Sequence, residues 1–230
     1  MKKLITTFAA GAAAIALMGQ ASAKIPAPEP EDDPGAVHSY ILLDRTGSMS
    51  SIWDEALTSV NAYAASVGEA DEGEIEGSDI ETDVTLAIFD FQDGMQFDVL
   101  REKVIAEDWT DVTNEEANPR GMTPLFDAIG RMVSLAEADD PEKAVIVIMT
   151  DGLENSSREL TRDGAKAALD RAEAKGWEVV FLGAEFARFD DAEAVGVSAS
   201  KTMAVGQGSM QDSMSALAKK SRAYGKGEEA

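Results

Sequence analysis

Apolar residues along this chain fall into two alternating patterns. Short, continuous apolar runs occur in "HSYILLD", "DVTLAIFDF", "KAVIVIMTDG" and "WEVVFLGA", and their length and content of β-branched residues are typical of buried strands. Between these runs, apolar residues recur every three or four positions, as over residues 53–67, where they form the stripe of an amphipathic helix. This alternation predicts an α/β fold, a doubly wound, mostly parallel sheet with helices on both faces.

Turn and capping residues set the expected boundaries of the other elements. A Gln-Asp-Gly turn at residues 92–94 separates "DVTLAIFDF" from "MQFDVLREKV" and predicts a hairpin, which supplies one antiparallel edge strand. In "GMTPLFDAIGRMVSLAEA" we expect Thr123 to cap a helix whose first residue is Pro124. The remaining predicted elements are a helix over residues 161–175 closed by Gly176, a short edge strand in "SKTMAV" and a C-terminal amphipathic helix over residues 209–223.

The first residues have the organisation of a secretory signal peptide. Lys2 and Lys3 precede an uncharged, alanine-rich run over residues 4–18, and residues 21–23 (Ala-Ser-Ala) are small, as a signal peptidase requires. The apolar run is shorter than the roughly 20 residues of a membrane-spanning helix, which argues against the alternative of an uncleaved anchor. We therefore predict a signal peptide at residues 1–23, cleaved after Ala23, and a periplasmic or secreted protein with no stable membrane insertion.

The rest of the chain is expected to form one domain with short flanking segments. Residues 24–36 contain four of the seven prolines and an acidic run, and they predict an extended linker. The domain is expected over residues 37–223, with a charged tail at residues 224–230. The acidic stretch at residues 69–83 is expected to be a solvated loop, because it lacks the ligand spacing of a calcium-binding loop.

The charge of the chain restricts its partners. The sequence has 43 acidic and 20 basic residues, and removal of the signal peptide leaves 18 basic residues and a formal charge of −25. Such a surface repels nucleic acid and anionic lipid, whereas it favours divalent cations, basic partners or solubility in salty surroundings. The chain has no cysteine, so an exported form must be stabilised by its packed core.

Oxygen-bearing side chains follow two of the predicted strands. In an open parallel sheet, ligands bind at the carboxyl ends of the strands, near the point where the strand order reverses. With the strand order 3-2-1-4-5-6, the strands that end at Asp44 and Asp151 are neighbours at that point. Thr46 and Ser48 follow Asp44 at alternate positions, and Thr123 enters the helix before the strand of Asp151. The fold is expected to bring two carboxylates and three hydroxyls together.

These oxygen ligands suit a hard cation such as Mg²⁺, which takes six oxygens and only one or two carboxylates directly. Zinc is a poor fit, because there is no cysteine and His38 is the sole histidine, which we expect to be structural. Asp, Thr and Ser also favour helix capping, so residues 44–48 could be a capping turn and residues 151–152 an ordinary turn. Independent capping would not explain three converging loops.

Three short segments carry a resemblance to a known family. "DRTGSM" resembles the Asp-x-Ser/Thr-x-Ser element of von Willebrand factor type A (vWA) domains, "GMTPLFDAIG" their second loop with a threonine, and "MTDG" their third loop with an aspartate. The segments occur in the family's order over residues 37 to about 220. "DGLENSSREL" and "GWEVVFLGA" are similar to a bacterial and phage branch of these domains. Thr46 stands where serine is commoner, and it keeps the hydroxyl.

The resemblance implies a metal-ion-dependent adhesion site (MIDAS) in an exported bacterial protein. It implies that Thr46 and Ser48 bind Mg²⁺ (or Mn²⁺ or Ca²⁺) directly, Asp44 and Asp151 directly or through water, and Thr123 according to the conformational state. It also implies a non-enzymatic, protein-binding function, in which the ion bridges to a carboxylate of a partner protein.

Two alternatives remain at the level of the sequence. A Mg²⁺-dependent phosphoryl hydrolase could use Asp44 as its nucleophile, but such enzymes need a second aspartate as general acid where this chain has Thr46. The other alternative is a structural vWA domain with a vestigial site. A Ser-His-Asp triad has no support, because no Gly-x-Ser-x-Gly elbow is present. Asp90 and Asp93 lie in the predicted hairpin and are expected to solvate its turn.

Overall fold

The computed structural model describes residues 36–68, 82–151, 153–184, 195, 202–205 and 209–227. The predicted signal peptide, nearly all of the linker at residues 24–36, most of the acidic loop at residues 69–83 and residues 228–230 lie outside the described residues. The C-terminal helix continues to Lys226, so the first part of the predicted charged tail is helical. The described part contains six strands and four α-helices. They are β1 (Val37–Asp44), α1 (Trp53–Val67), β2 (Thr82–Phe91), β3 (Met95–Ile105), α2 (Leu125–Asp139), β4 (Ala144–Met149), α3 (Arg162–Ala174), β5 (Glu178–Ala184), β6 (Thr202–Val205) and α4 (Met210–Lys226).

The six strands form one sheet in the order β3-β2-β1-β4-β5-β6. Strand β1 pairs in parallel with both β2 and β4, β5 pairs in parallel with β4 and β6, and β3 alone is antiparallel. The predicted fold class, with an antiparallel edge strand from the hairpin, is confirmed. The strand order reverses between β1 and β4, so the ends of these two strands lie side by side.

Strand β1 is held from both sides of the sheet. Ile41 and Leu43 belong to the apolar cluster under α1 and α4, whereas Tyr40 and Leu42 belong to the cluster under α2 and α3. All four side chains are at most 1% exposed. Full burial of a large apolar side chain contributes about 1.5–3 kcal/mol, so the strand that carries Asp44 at its end is firmly fixed.

Strand β3 is an irregular edge strand. Its pairing with β2 shifts register between Val84 and Leu86 and again between Leu86 and Ala87. Near the shift, Lys103 has a φ of +46°, and its backbone N–H donates to the hydroxyl of Thr85 at 3.0 Å. A side chain therefore takes the place of a backbone partner here, which bends the strand locally.

The start of helix α2 differs from the expectation. The capping residue is Pro124 and the first helical residue is Leu125, and no side chain at the capping position bonds to the helix. Thr123 was expected to cap, but its hydroxyl donates instead to the hydroxyl of Thr46 at 3.2 Å. The side chains of Glu154 and Ser157 instead accept hydrogen bonds from the first N–H groups of the helix. The prediction of a Thr123 cap is therefore wrong.

Asp90 also differs from the expectation that it solvates a turn. Its side chain is 0% exposed, and its Oδ2 accepts hydrogen bonds from Nε of Arg45 at 2.5 Å and from Nε of Arg120 at 3.0 Å. Asp93, in contrast, is exposed in the turn. His38 is structural, since its Nδ1 lies 2.8 Å from the carboxylate of Asp83. None of the helices in the described ranges is both long and apolar enough to cross a membrane.

Candidate metal centre

The first loop of the candidate site leaves strand β1 at Asp44. The Asp44 side chain is 0% exposed, and its Oδ1 accepts a hydrogen bond of 2.7 Å from the backbone N–H of Thr46. This bond from a carboxylate to the amide two residues on closes a tight turn. A 3-10 helix, Gly47–Ser51, follows the turn, so Thr46 and Ser48 leave the strand end in a fixed geometry.

The five residues predicted from the sequence are joined by hydrogen bonds. The hydroxyl oxygens of Thr46 and Ser48 are 3.2 Å apart, and Ser48 donates to Oδ1 of Asp151 at 2.8 Å. Thr123 donates to the hydroxyl of Thr46 at 3.2 Å. Together with the bond between Asp44 and the amide of Thr46, these contacts bring all three predicted loops to one place.

Thr150 is a member of the site that the sequence analysis missed. Its hydroxyl donates to Oδ2 of Asp44 at 2.7 Å, across the boundary between strands β1 and β4. Both oxygens of the Asp44 carboxylate therefore have a hydrogen-bond donor. The available signal was the hydroxyl residue directly before Asp151, since Met149, the last residue of β4, pairs with Leu43 and the residue after it reaches the level of Asp44.

Burial dominates the electrostatics of the two carboxylates. It raises the pKa of Asp44 from 3.8 to about 6, and the hydrogen bonds from Thr150 and Thr46 only partly oppose this shift. Burial also raises the pKa of Asp151, while the bond from Ser48 lowers it. The negative charge of Asp151 further raises the pKa of Asp44. Two poorly solvated carboxylates in one place favour a nearby positive charge.

An ion cluster around the buried carboxylate of Asp90 joins the first loop to the second. Asp90 bonds to the guanidinium groups of Arg45 and Arg120, and the backbone carbonyl of Arg45 accepts from the N–H of Arg120 at 2.7 Å. Gly121 has a φ of +73°, and a Cβ placed there would lie 2.6 Å from the carbonyl oxygen of Phe91. Only glycine fits this close approach to the end of β2, and the carbonyl of Gly121 accepts the N–H of Gly47 in the first loop at 3.2 Å.

The donor set fits a hard divalent cation. It offers two carboxylates and three hydroxyls, all of them oxygen ligands. Thr46 and Thr123 are buried, whereas Ser48 is exposed and Asp151 is half-buried. The set therefore opens to solvent on the side of Ser48, where an external ligand has access.

Solved structures with this fold come from diverse organisms. Proximal thread matrix protein 1 from the mussel byssus matches with a TM-score of 0.55 at 15% identity, over 84% of this chain and 47% of its own. The vWF domain of the type V pili tip protein Mfa5 from Porphyromonas gingivalis gives 0.56 at 10% identity, over 85% and 97%. Manganese-loaded TRAP protein from Plasmodium vivax gives 0.56 at 15% identity, over 82% and 74%. No protein-family model and no curated protein matches the sequence.

This chain has the fold of a von Willebrand factor type A domain, as the sequence segments predicted. It spans about half the length of the mussel protein, which has also been solved with a zinc-occupied MIDAS motif. The Plasmodium protein was solved loaded with manganese, so at least two of the structures with this fold contain a divalent cation. At 10–15% identity these likenesses define the fold, and the residues of the site must support the function.

Proposed function

We propose that this chain is an exported, metal-dependent protein-binding module whose bound divalent cation bridges to an acidic group of a partner protein. The observation that carries the proposal is the convergence of Asp44, Thr46, Ser48, Thr123 and Asp151 from three loops at the reversal of strand order. The adhesion and pilus proteins that share the fold support an adhesion or assembly role. The ion is Mg²⁺, with Mn²⁺ or Ca²⁺ as the alternatives.

The proposed roles follow from where each side chain lies. The hydroxyls of Thr46 and Ser48 would bind the ion directly, Asp44 and Asp151 directly or through water, and Thr123 by its hydroxyl. When bound, the ion would supply a strong positive charge that attracts an external carboxylate. The buried residues would hold the ion, and a partner would approach from the exposed side at Ser48.

Apolar residues beside the site support binding to a protein. Among the described residues, four large hydrophobic side chains are exposed, and two of them are Met122 at 46% and Leu153 at 45%. Met122 directly precedes Thr123, and Leu153 follows Asp151 by two positions. Exposed apolar groups next to a charged centre are typical of protein interfaces, because their burial contributes to affinity. A site that binds only a small isolated anion would not need exposed apolar side chains beside it.

The surroundings of Asp44 argue against phosphoryl hydrolysis. The Asp44 side chain is 0% exposed, so a bulky phosphate ester cannot reach it, whereas a small ion beside Thr46 and Ser48 could be bound through a water molecule. The position expected to hold a general acid carries Thr46, whose hydroxyl lies against Ser48 and Thr123. Protein binding is therefore the better-supported function.

The decisive experiment is metal binding by the purified protein, followed by capture of partners with and without EDTA. We expect calorimetry to detect binding of Mg²⁺ or Mn²⁺, and Asp44→Ala to abolish it, because the buried charge of the site is lost. Asp139→Ala is a matched control, since Asp139 is a partly buried carboxylate that bonds to Tyr40 on another part of the domain. Equal ion binding by Asp44→Ala and the parent protein would disprove the site.

Export has its own test. We expect the cell to process the chain after Ala23, so N-terminal sequencing of protein recovered from the periplasm or medium should begin at Lys24. Recovery of the full-length chain from the membrane fraction would instead support the uncleaved anchor.

A further inference from the structure

The segment after the third loop, residues 153–160, contains no helix or strand and crosses the start of helix α2. Glu154 accepts a hydrogen bond of 3.0 Å from the N–H of Phe126, and Ser157 accepts one of 3.2 Å from the N–H of Asp127. The first N–H groups of a helix have no partner within the helix, and Pro124 provides no side-chain cap. This segment therefore caps helix α2 from another part of the chain.

Helix α2 holds the segment in return. The carboxylate of Asp127 is 1% exposed and accepts hydrogen bonds from three consecutive backbone N–H groups, those of Arg158 at 2.8 Å, Glu159 at 2.9 Å and Leu160 at 2.7 Å. Hydrogen bonds thus run in both directions between the helix start and the segment. The two parts form one hydrogen-bonded unit, which joins the start of helix α2, shortly after Thr123, to the segment at residues 153–160, shortly after Asp151.

Asn155 extends this unit to a proposed metal ligand. Its side-chain Oδ1 accepts the backbone N–H of Thr123 at 2.9 Å, and its own backbone N–H donates to the carbonyl of Thr123 at 3.1 Å. One residue therefore fixes both backbone groups of Thr123. The hydroxyl of Thr123, held in this way, donates to Thr46 in the centre of the site.

We propose that Asn155 is a positioning residue, which sets the hydroxyl of Thr123 at the metal centre and makes the second and third loops move together. This rests on the proposed function, because the hydroxyl matters only if an ion binds there. Residues that orient metal ligands without touching the metal commonly change affinity by about 10- to 100-fold when they are replaced. Asn155 is exposed, so its replacement leaves no cavity and affects chiefly these hydrogen bonds.

The test is a double-mutant cycle measured by calorimetry with Mn²⁺ and with Mg²⁺. We expect Asn155→Ala to weaken ion binding roughly 10-fold. Thr123→Val removes the hydroxyl and should also weaken binding. If Asn155 acts through Thr123, then Asn155→Ala should cause no further loss in the Thr123→Val background. Asn155→Asp retains the side-chain acceptor and should bind at least as tightly as the parent.

Asn61, a residue of helix α1, provides a matched control. Its Oδ1 accepts the N–H of Val112 at 2.9 Å and its Nδ2 donates to the carbonyl of Val112 at 3.1 Å, so it also fixes both backbone groups of one loop residue. We expect Asn61→Ala to lower the melting temperature of the metal-free protein without changing its affinity for Mn²⁺. A purely structural role of Asn155 would give the same result for Asn155→Ala.

The outcomes separate the two proposals. If the parent binds an ion and Asn155→Ala binds it equally well, the positioning role is overturned and the metal site stands. If Asn155→Ala weakens binding by the same factor with and without the Thr123 hydroxyl, Asn155 does not act through Thr123 and the proposal is wrong. If the parent protein binds neither Mn²⁺ nor Mg²⁺, the proposed function fails, and the positioning role fails with it.

Discussion

The candidate site has a buried half and a solvent-facing half, and the two are built differently. In the buried half, Asp44, Thr46 and Thr123 are at most 3% exposed, and neighbouring loops fix their positions through hydrogen bonds and an ion cluster. In the solvent-facing half, Ser48 is exposed and Asp151 is half-buried, and the two side chains bond to each other. Charge and geometry are determined in the buried half, whereas access for a ligand is provided by the other half.

The largest expected effect comes from the support of the buried half. Asp90→Ala removes the carboxylate that pairs with Arg45 and Arg120, and it leaves the nearly buried Arg45 without its inner partner. Breaking a buried ion pair in this way costs about 3–5 kcal/mol of unfolding free energy. Chemical denaturation of parent and variant would measure the loss.

The second carboxylate that Arg45 contacts supplies the control for that prediction. Asp98 bonds to Arg45 at 2.8 Å, but its side chain is 49% exposed. Because exposed ion pairs contribute little, we expect Asp98→Ala to cost no more than about 1 kcal/mol. Equal losses of unfolding free energy for Asp90→Ala and Asp98→Ala would contradict the expectation that the buried carboxylate contributes more to stability than the exposed one.

The next effect concerns the buried charge itself. The folded protein holds the Asp44 proton more tightly than the unfolded chain does, because burial raises the pKa of this group to about 6. Asp44 therefore stabilises the metal-free fold below about pH 4, and this contribution is lost as the pH rises through 6. The shift corresponds to about 2–3 kcal/mol between pH 4 and pH 7.

Asp44→Asn isolates this contribution, because the amide has no charge to lose or gain. We expect the metal-free variant to be more stable than the parent at pH 7, and the difference to shrink as the pH is lowered to 4. Thermal or urea denaturation over this pH range measures it. A difference that does not vary with pH would show that the buried charge of Asp44 has no energetic cost.

The smallest effect on stability is expected in the solvent-facing half. Ser48→Ala removes an exposed hydroxyl that bonds to Thr46 and Asp151. Surface substitutions usually change stability by no more than about 0.5 kcal/mol, so the metal-free protein should unfold almost as the parent does. The affinity for Mg²⁺ should nevertheless fall, because a direct ligand is lost. A large loss of stability would show that this half is structural rather than open for binding.

The sequence was sufficient for the features that depend on periodic patterns. Apolar runs and helical stripes predicted a doubly wound parallel sheet, and the usual strand order of such sheets places Asp44 and Asp151 at the ends of neighbouring strands. The spacing of two residues from Asp44 to Thr46 and from Thr46 to Ser48 placed both hydroxyls on the loop that begins at Asp44. The metal role of these residues is still a prediction, but their convergence with Thr123 required only the topology.

Features that depend on competition between partners could not be predicted from the sequence. Thr123 has the residue type and position of a helix cap, yet its hydroxyl bonds to Thr46, and Glu154 binds the helix start in its place. Asp90 lies next to a turn, and only the three-dimensional structure places two arginines around it. Local preference contributes about 1 kcal/mol in such cases, which several tertiary hydrogen bonds readily exceed.

The irregular pairing of strand β3 affects whether two copies of this protein can associate through the edges of their sheets. A straight edge strand with free backbone groups can recruit a second strand and begin aggregation. In β3, the left-handed backbone of Lys103 and the bond from its N–H to Thr85 interrupt the straight edge. Val99 and Ile105 are exposed along the same strand, and without that interruption they would be a hazard. The bend therefore lowers the tendency of two copies of the protein to pair edge to edge.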